Sequence, residues 1–370
     1  MQSQSRPATH AGSWYSDSPE TVRYQIDYWL YEAKKELEDI ASSLPKRGGR
    51  VTARIIIAPH AGFAYSGRCA AYAYKIWDLT NVKRIFVLGP AHHHYCSSLA
   101  LPEYTAYHTP LAAEALPLDV DAIAELRAKK AIGQDQNPID FATLTRAEDG
   151  EEHSIEMHLP FIHRMLQLQF PGQPPSKYPP LVPIVVGAID DQTEQAFGNL
   201  LAPYLGDKDN AFVISSDFCH WGTRFDYTYF TAAAPSPGPL IPVSKDLPWP
   251  GLKEDDTTRL IEICQGGSRR TSRDAEIYNP PIYASISALD LGAMAAIATG
   301  RHEEFSRYLR DTRNTVCGRH PIGVIMAAVE RLGLADTNLG RFRFIRYDRS
   351  SNVRVYKESS VSYASAFALL

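Results

Sequence analysis

"ARIIIAPH", Ala53 to His60, is the stretch whose reading decides the fold. Its apolar residues run consecutively rather than alternating with polar ones, and Ile55, Ile56 and Ile57 are β-branched. A strand that meets water on neither face reads this way, and such strands belong to parallel sheets covered by helices on both sides. Outward along the chain the pattern recurs in "KRIFVLGPAHHH" (83–94), "LVPIVVGA" (181–188) and "NAFVISSD" (210–217). Helical spacing separates the runs, in "GRCAAYAYKIW", "EEHSIEMHLPFIHRMLQLQF" and "DQTEQAFGNLLAPYL". Strand, helix, strand is the unit of a parallel sheet.

Before the first run, "SPETVRYQIDYWLYEAKKELEDIASSL" reads as a helix capped by Ser18 with Pro19 in its first turn. After the last come helices around "ASISALDLGAMAAIATG", "HEEFSRYL" and "PIGVIMAAVERL", then "RFRFIRY", whose alternation suits a half-exposed edge strand, and the apolar "SVSYASAFAL". The expected architecture is α/β: a single domain over about 8–368, with a mainly parallel central sheet flanked by helices. From about 231 to 274 a proline-rich and then basic segment interrupts the pattern and reads as an inserted surface loop.

Composition narrows the function. Lys plus Arg number 38 against 42 Asp plus Glu, a net charge of -4 with the signs interspersed, so neither a nucleic-acid footprint nor a basic membrane face is expected. No signal peptide or membrane-spanning run is visible, so a soluble, cytoplasmic protein is expected, with the nucleus as a second compartment. Cys69, Cys96, Cys219, Cys264 and Cys317 are odd in number and widely spaced, which suggests neither a disulfide framework nor a zinc finger.

The chemistry-bearing residues fall just after the strands. His60 follows "IIIAP", His92 follows "IFVLGPA", and Asp217 and His220 follow "FVISS". Ligands of open parallel sheets bind beyond the carboxyl ends of the strands, because loops converge there. Cys317, just before a helix, has its thiolate favoured by unpaired amides and the helix dipole. Two imidazoles with a thiolate would suit copper, zinc or iron rather than magnesium or calcium. Taken singly, each histidine could equally be a structural imidazole. Of His92, His93 and His94, one or two can face a common site. A nucleophilic Cys317 with His220 or His320 is a lesser alternative. Cys219 and Cys69 read as small core residues. In "EHSIEMHLP", His153 and Glu156 would share a helical face, the carboxylate orienting an imidazole behind the rim. The absence of GxGxxG, GxxxxGK[ST] and GxSxG removes the main support for dinucleotide, P-loop and serine-hydrolase readings.

"HAGSWY", "IIAPHAGFAYSG", "LGPAHH", "EHSIEMHLPF", "VGA", "SSDFCHWG", "NTVCGRHPIG" and "SSVSYA", in this order, closely resemble the MEMO family (mediator of ErbB2-driven cell motility) from about 10 to 366. The resemblance implies the fold of class III (LigB-type) extradiol dioxygenases, which hold non-haem iron with two histidines and a carboxylate. It places metal ligands at His60, His92 and Cys317, with Asp217 and His220 beside them. It also implies copper or iron as cofactor with a redox or metal-sequestering role. In animal members it implies adaptors that bind phosphotyrosine peptides and act on the cytoskeleton; in that rival role Arg319 would attract phosphate. A dioxygenase with Asp217 as carboxylate ligand is a third reading, which the thiolate weakens. Trp14 and Tyr65 would either wall the pocket or pack in the core.

Overall fold

The computed structural model describes residues 5–43, 53–232, 234, 261–262, 278–337 and 339–370. The insert expected at about 231–274 therefore lies almost wholly outside the described residues. Among the described residues nine strands form the main sheet: β1 (Ala53–Ala58), β2 (Arg84–Pro90), β3 (Leu99–Pro102), β4 (Ala142–Leu144), β5 (Leu181–Val186), β6 (Asn210–Ser215), β7 (Asp217–Trp221), β8 (Phe342–Arg349) and β9 (Ser360–Leu369). Among the described residues the helices are α1 (Pro19–Ser43), α2 (Phe63–Ile76), α3 (Val120–Ala128), α4 (Arg146–Glu151), α5 (Leu159–Gln169), α6 (Asp191–Gly206), α7 (Ile282–Ala298), α8 (His302–Thr312) and α9 (Arg319–Arg331).

The centre of the sheet runs β1-β6-β2-β5, all parallel. Every residue of β1, β5 and β6 is buried, as their unbroken apolar sequences require. Each fully covered Ile or Val of this kind contributes about 1.5–3 kcal/mol relative to exposure. Outside this centre the expectation of a mainly parallel sheet is corrected. β3 joins β5 antiparallel, and at the other end β9 runs antiparallel to β1, β7 and β8. The sheet is mixed, with a parallel heart and antiparallel flanks.

β9 explains the mixture. It is fully buried over ten residues, and its small side chains, Ser362, Ala364, Ala366 and Ala368 among them, let elements on both of its edges and on its face approach closely. β8 lines one edge as the half-exposed edge strand that its alternation predicted. Along the other edge β1 pairs with the end of β9, through Ala366↔Ile57, and β7 pairs with its beginning, through Tyr363↔Asp217. The chain leaving β6 thus crosses the end of β1 to become β7. "SSDFCHWG" is a bend between two strands rather than the loop after one.

α1 buries Val22, Ile26, Leu30, Ala33 and Leu37 and half-buries Trp29, and Ser18 Oγ accepts from Thr21 N at 3.2 Å as its cap. α6 and α9 pack closely, with Gly198 opposite Ala327. Among the described residues no helix is long and apolar enough to cross a membrane.

Candidate metal centre

His60 stands two residues beyond β1 and is 2% exposed. Its main-chain N–H donates to Asp217 Oδ1 at 2.9 Å, so the bend after β6 is tied to the end of β1. Its Nδ1 lies 2.6 Å from Ser215 Oγ. That hydroxyl donates its own hydrogen to the Ser154 carbonyl at 2.7 Å, so it can only accept from Nδ1–H. The tautomer is thereby set, and the lone pair on Nε2 faces Cys317 Sγ at 3.2 Å. Burial, together with the imidazoles of His92, His153, His158 and His220, holds His60 well below the usual histidine range, in the neutral form a metal needs.

His92, beyond β2, is held by Glu152, whose Oε2 accepts from His92 N at 2.6 Å while Oε1 lies 3.1 Å from Nδ1. Ser154 N donates to the same carboxylate at 2.8 Å. Burial opposes ionisation of Glu152, but the hydrogen bond and charge of His92, with Ser154 N–H and His153, outweigh it and hold the carboxyl at about 2. An ionised acceptor at Nδ1 again leaves Nε2 to the site.

Cys317 closes the set from the turn before α9. Its Sγ accepts from Asp217 N at 3.2 Å. Burial and the nearby Asp217 carboxyl push the thiol well above its usual range, against the pull of the Asp217 and Gly318 amides and Arg319. The expectation of a thiolate favoured by the helix terminus is corrected: desolvation wins, and a cation would have to displace the proton. One ligand atom each from His60, His92 and Cys317 lie within 4.8 Å of one another. Donors around a tetrahedral ion at about 2.0–2.3 Å stand roughly 3.3–3.8 Å apart, so a small inward movement would close the set.

Asp217 and His220 stand beside these donors. Asp217 is buried, and its Oδ1 also accepts from Ala61 N at 3.3 Å; burial raises its carboxyl, with His220 and the two amides pulling back. His220 donates its main-chain N–H to Thr315 Oγ1 at 2.8 Å, and its Nδ1 meets the carbonyls of Phe218 and Thr315 at 2.9 and 3.2 Å. Two carbonyl acceptors place the proton on Nδ1 and leave Nε2 free to accept.

The helix expected to carry both His153 and Glu156 does not form. α4 ends at Glu151, Glu152 turns extended at φ -77 and ψ 127, and α5 begins at Leu159 with Pro160 in its first turn. The two side chains part. His153 stacks on His92 at 4.3 Å and on Trp14 at 4.4 Å between centroids, and burial and the His92 charge lower it to about 3. Glu156 turns away to His10 Nδ1 and Tyr15 Oη, both at 2.8 Å, and Arg6 at 2.5 Å. The carboxylate behind the rim is Glu152, one residue before the expected pair.

The remaining candidates spread around this centre. His93 lies edge-on to His153 at 5.7 Å and is exposed. Trp14 is 38% and Tyr65 64% exposed, so neither packs in the core. Arg319 is exposed, and its side chain lines a separate cavity. Cys219 and Cys69 are buried core residues, as expected. Ser154, Ser215 and Thr315 escaped the sequence reading, since a serine or threonine that orients an imidazole looks like any other until the fold brings them together.

Gly318 fixes how closely Cys317 approaches the bend after β6. A Cβ there would meet Ser216 Cβ at 2.3 Å and the Ser215 carbonyl at 2.4 Å. Gly318→Ala is expected to cost about 1–3 kcal/mol by overpacking and to displace Ser215 from His60. Urea unfolding gives the first number, and an unchanged midpoint would refute it.

A family profile described as "Memo-like protein" matches residues 6–367. "Protein MEMO1" of Xenopus laevis is 37% identical over 360 residues, covering 97% of this chain and 96% of that protein. "Protein MEMO1" of Homo sapiens is 36% identical with the same coverage. A MEMO1 family protein of Schizosaccharomyces pombe is 35% identical over 364 residues, 98% of each chain.

Proposed function

The chain belongs to the Memo-like family, and from that premise we propose that it binds a copper or iron ion through His60 Nε2, His92 Nε2 and Cys317 Sγ. The observation that carries the reading is the convergence of these three donors from three separate elements, each imidazole with its other nitrogen already hydrogen-bonded. The convergence is what sets them apart, since the core imidazoles of His158 and His163 are also held through Nδ1 but, among the described residues, meet no other donor set. Bound copper or iron would supply one-electron redox chemistry, or a sequestered ion, at the rim of the sheet.

The protein's own residues have definable tasks around that position. Ser215 and Glu152 fix the ligand tautomers, and Asp217 holds the β6–β7 bend against β1. His220 presents Nε2 as a proton acceptor beside the donors, and Trp14 over His153 limits water from one side. We assign the chain one domain over about 8–368 with the fold of the class III extradiol dioxygenases, acting inside the cell. A thiolate where those enzymes use a carboxylate argues against ring cleavage, because it changes the charge and softness of the ion.

Metal content by mass spectrometry, with copper(I) and iron(II) titrations, tests the reading on the wild type and on Cys317→Ser and His92→Ala. One equivalent bound by the wild type and lost in both variants is expected. Binding indifferent to both substitutions would overturn the site. It would move the assignment to a peptide-binding adaptor, for which exposed Trp14 and Tyr65 at the rim would be the contact surface.

A further inference from the structure

α1 buries one face and displays the opposite one. Tyr24, Tyr28 and Tyr31 recur at spacings of four and three, so they form a single row along the helix. Each stands two residues from a buried one, Tyr24 from Val22 and Ile26, Tyr28 from Ile26 and Leu30, and Tyr31 from Ala33, which is about 200° around the helix axis. The row therefore crests the side of α1 that faces away from the core. Its rings are held rather than loose. Tyr24 stacks with Tyr28 at 6.3 Å between centroids, Tyr28 Oη donates to Glu32 Oε1 at 3.0 Å, and Lys35 Nζ stands 4.6 Å from the Tyr31 centroid. One exposed tyrosine needs no explanation, but three ordered ones in a row, at 71%, 48% and 58% exposure, mark a contact surface.

The ends of the row indicate what covers it. Glu20 lies four residues before Tyr24 and Lys35 four after Tyr31, both exposed and on the same face. Among the described residues neither has an ion-pair partner. The pattern is self-complementary, because the midpoint between positions 20 and 35 is also the midpoint between 24 and 31. A second α1 laid antiparallel on the first sets Glu20 against Lys35 and Tyr24 against Tyr31 of the other copy in one register, twice over, with the two Tyr28 rings meeting near the two-fold axis. A parallel copy would set Glu20 against Glu20 and Lys35 against Lys35. An unrelated partner would not require the row to match itself when reversed.

We propose that two copies of the chain pair through this face, α1 against α1, antiparallel about a two-fold axis at Tyr28. At about 150–250 Å² for a whole aromatic side chain, the exposed parts of the three rings supply roughly 250–450 Å² per copy. Standard interfaces bury about 800 Å² per partner, so the pairing is of the weak, concentration-dependent kind. The tyrosines supply its attraction, and the two Glu20–Lys35 pairs fix its direction. It does not depend on the metal centre.

Sedimentation velocity of the full chain over a concentration series tests the pairing. A shift from monomer toward dimer with rising concentration is expected. Tyr28→Glu sets two carboxylates against each other at the axis and should remove the dimer. Glu20→Lys and Lys35→Glu each turn two attractions into two repulsions and should weaken association about tenfold. The variant carrying both substitutions restores the two pairs with their signs exchanged and should recover the dimer. Thermal melts of the variants establish that these exposed substitutions leave the fold intact. A monomer at every concentration, or a dimer that persists in Tyr28→Glu, would overturn the interface. A double variant that associates no better than the single ones would overturn the antiparallel arrangement.

Discussion

Arg6→Ala is expected to lower stability by about 3–5 kcal/mol, the cost of leaving buried carboxylates without their cation. Arg6 is 1% exposed, and all three nitrogens of its guanidinium are hydrogen-bonded. Nε reaches Asp149 Oδ1 at 2.9 Å and the Asp149 carbonyl at 2.8 Å, Nη1 reaches Glu156 at 2.5 Å, and Nη2 reaches the Glu152 carbonyl at 2.9 Å. These bonds fasten the N-terminal segment across residues 149–156. That segment carries His10 and Trp14 to His153, so the pair network and the candidate centre share a wall.

The two carboxylates make the loss depend on pH. Burial works against ionisation of Glu156, but His10 and Arg6 outweigh it and hold its carboxyl at about 2, below the roughly 4.3 of an unfolded glutamate. Its contribution to stability is therefore present above about pH 4.3 and lost as pH falls toward the folded value. Asp149 goes the other way: burial pushes it up to about 6, with Arg6 and the Tyr107 hydroxyl pulling back. Without Arg6 both folded values rise, and a carboxyl whose folded pKa lies above its unfolded one loses stability as pH rises. The deficit of Arg6→Ala should therefore be largest near pH 8 and smaller near pH 5. Urea unfolding at the two pH values measures it, and equal deficits would show that the network is not electrostatic.

Much of this arrangement was legible in the sequence where burial dictates residue type. The β1, β2, β5 and β6 runs are strands because unbroken apolar segments between helices have no other place to go, and the histidines after them stand at the carboxyl ends of the parallel strands. β7 was not legible. "DFCHW" mixes charged, aromatic and thiol groups, and its strand character comes only from pairing with β9 about 140 positions further on. The same separation hid the N-terminal segment: nothing near Arg6 in sequence announces Asp149 or Glu156. The misplaced orienting carboxylate has a local cause. With His153 and Glu156 three apart, a continuous helix would have paired them, but the extended turn at Glu152 breaks the periodicity on which that inference rests.

Glu152 is where that break matters most. Its carboxylate accepts from His92 N, His92 Nδ1 and Ser154 N, and the Ser154 carbonyl accepts from the Ser215 hydroxyl that orients His60. One side chain therefore stands behind two of the three proposed ligands. Glu152→Ala would free the His92 ring to rotate and to take the wrong tautomer, and would leave Ser154 N–H, buried among these groups, without its acceptor. Copper or iron affinity is expected to fall about 10–100-fold, the usual loss when a partner behind a metal ligand is removed. Glu152→Gln keeps one carbonyl oxygen for Nδ1–H but presents an amide N–H₂ to the second set of donors, so an intermediate loss is expected. Since the carboxyl is held at about 2, the contrast between Glu and Gln should persist across pH 5–8 rather than vanish at the acid end. Competition titrations of the three proteins at both pH values measure the order. A Glu152→Ala protein that binds as tightly as the wild type would show that Glu152 does not orient His92 for the ion, leaving the stacking of His92 on His153 to do so.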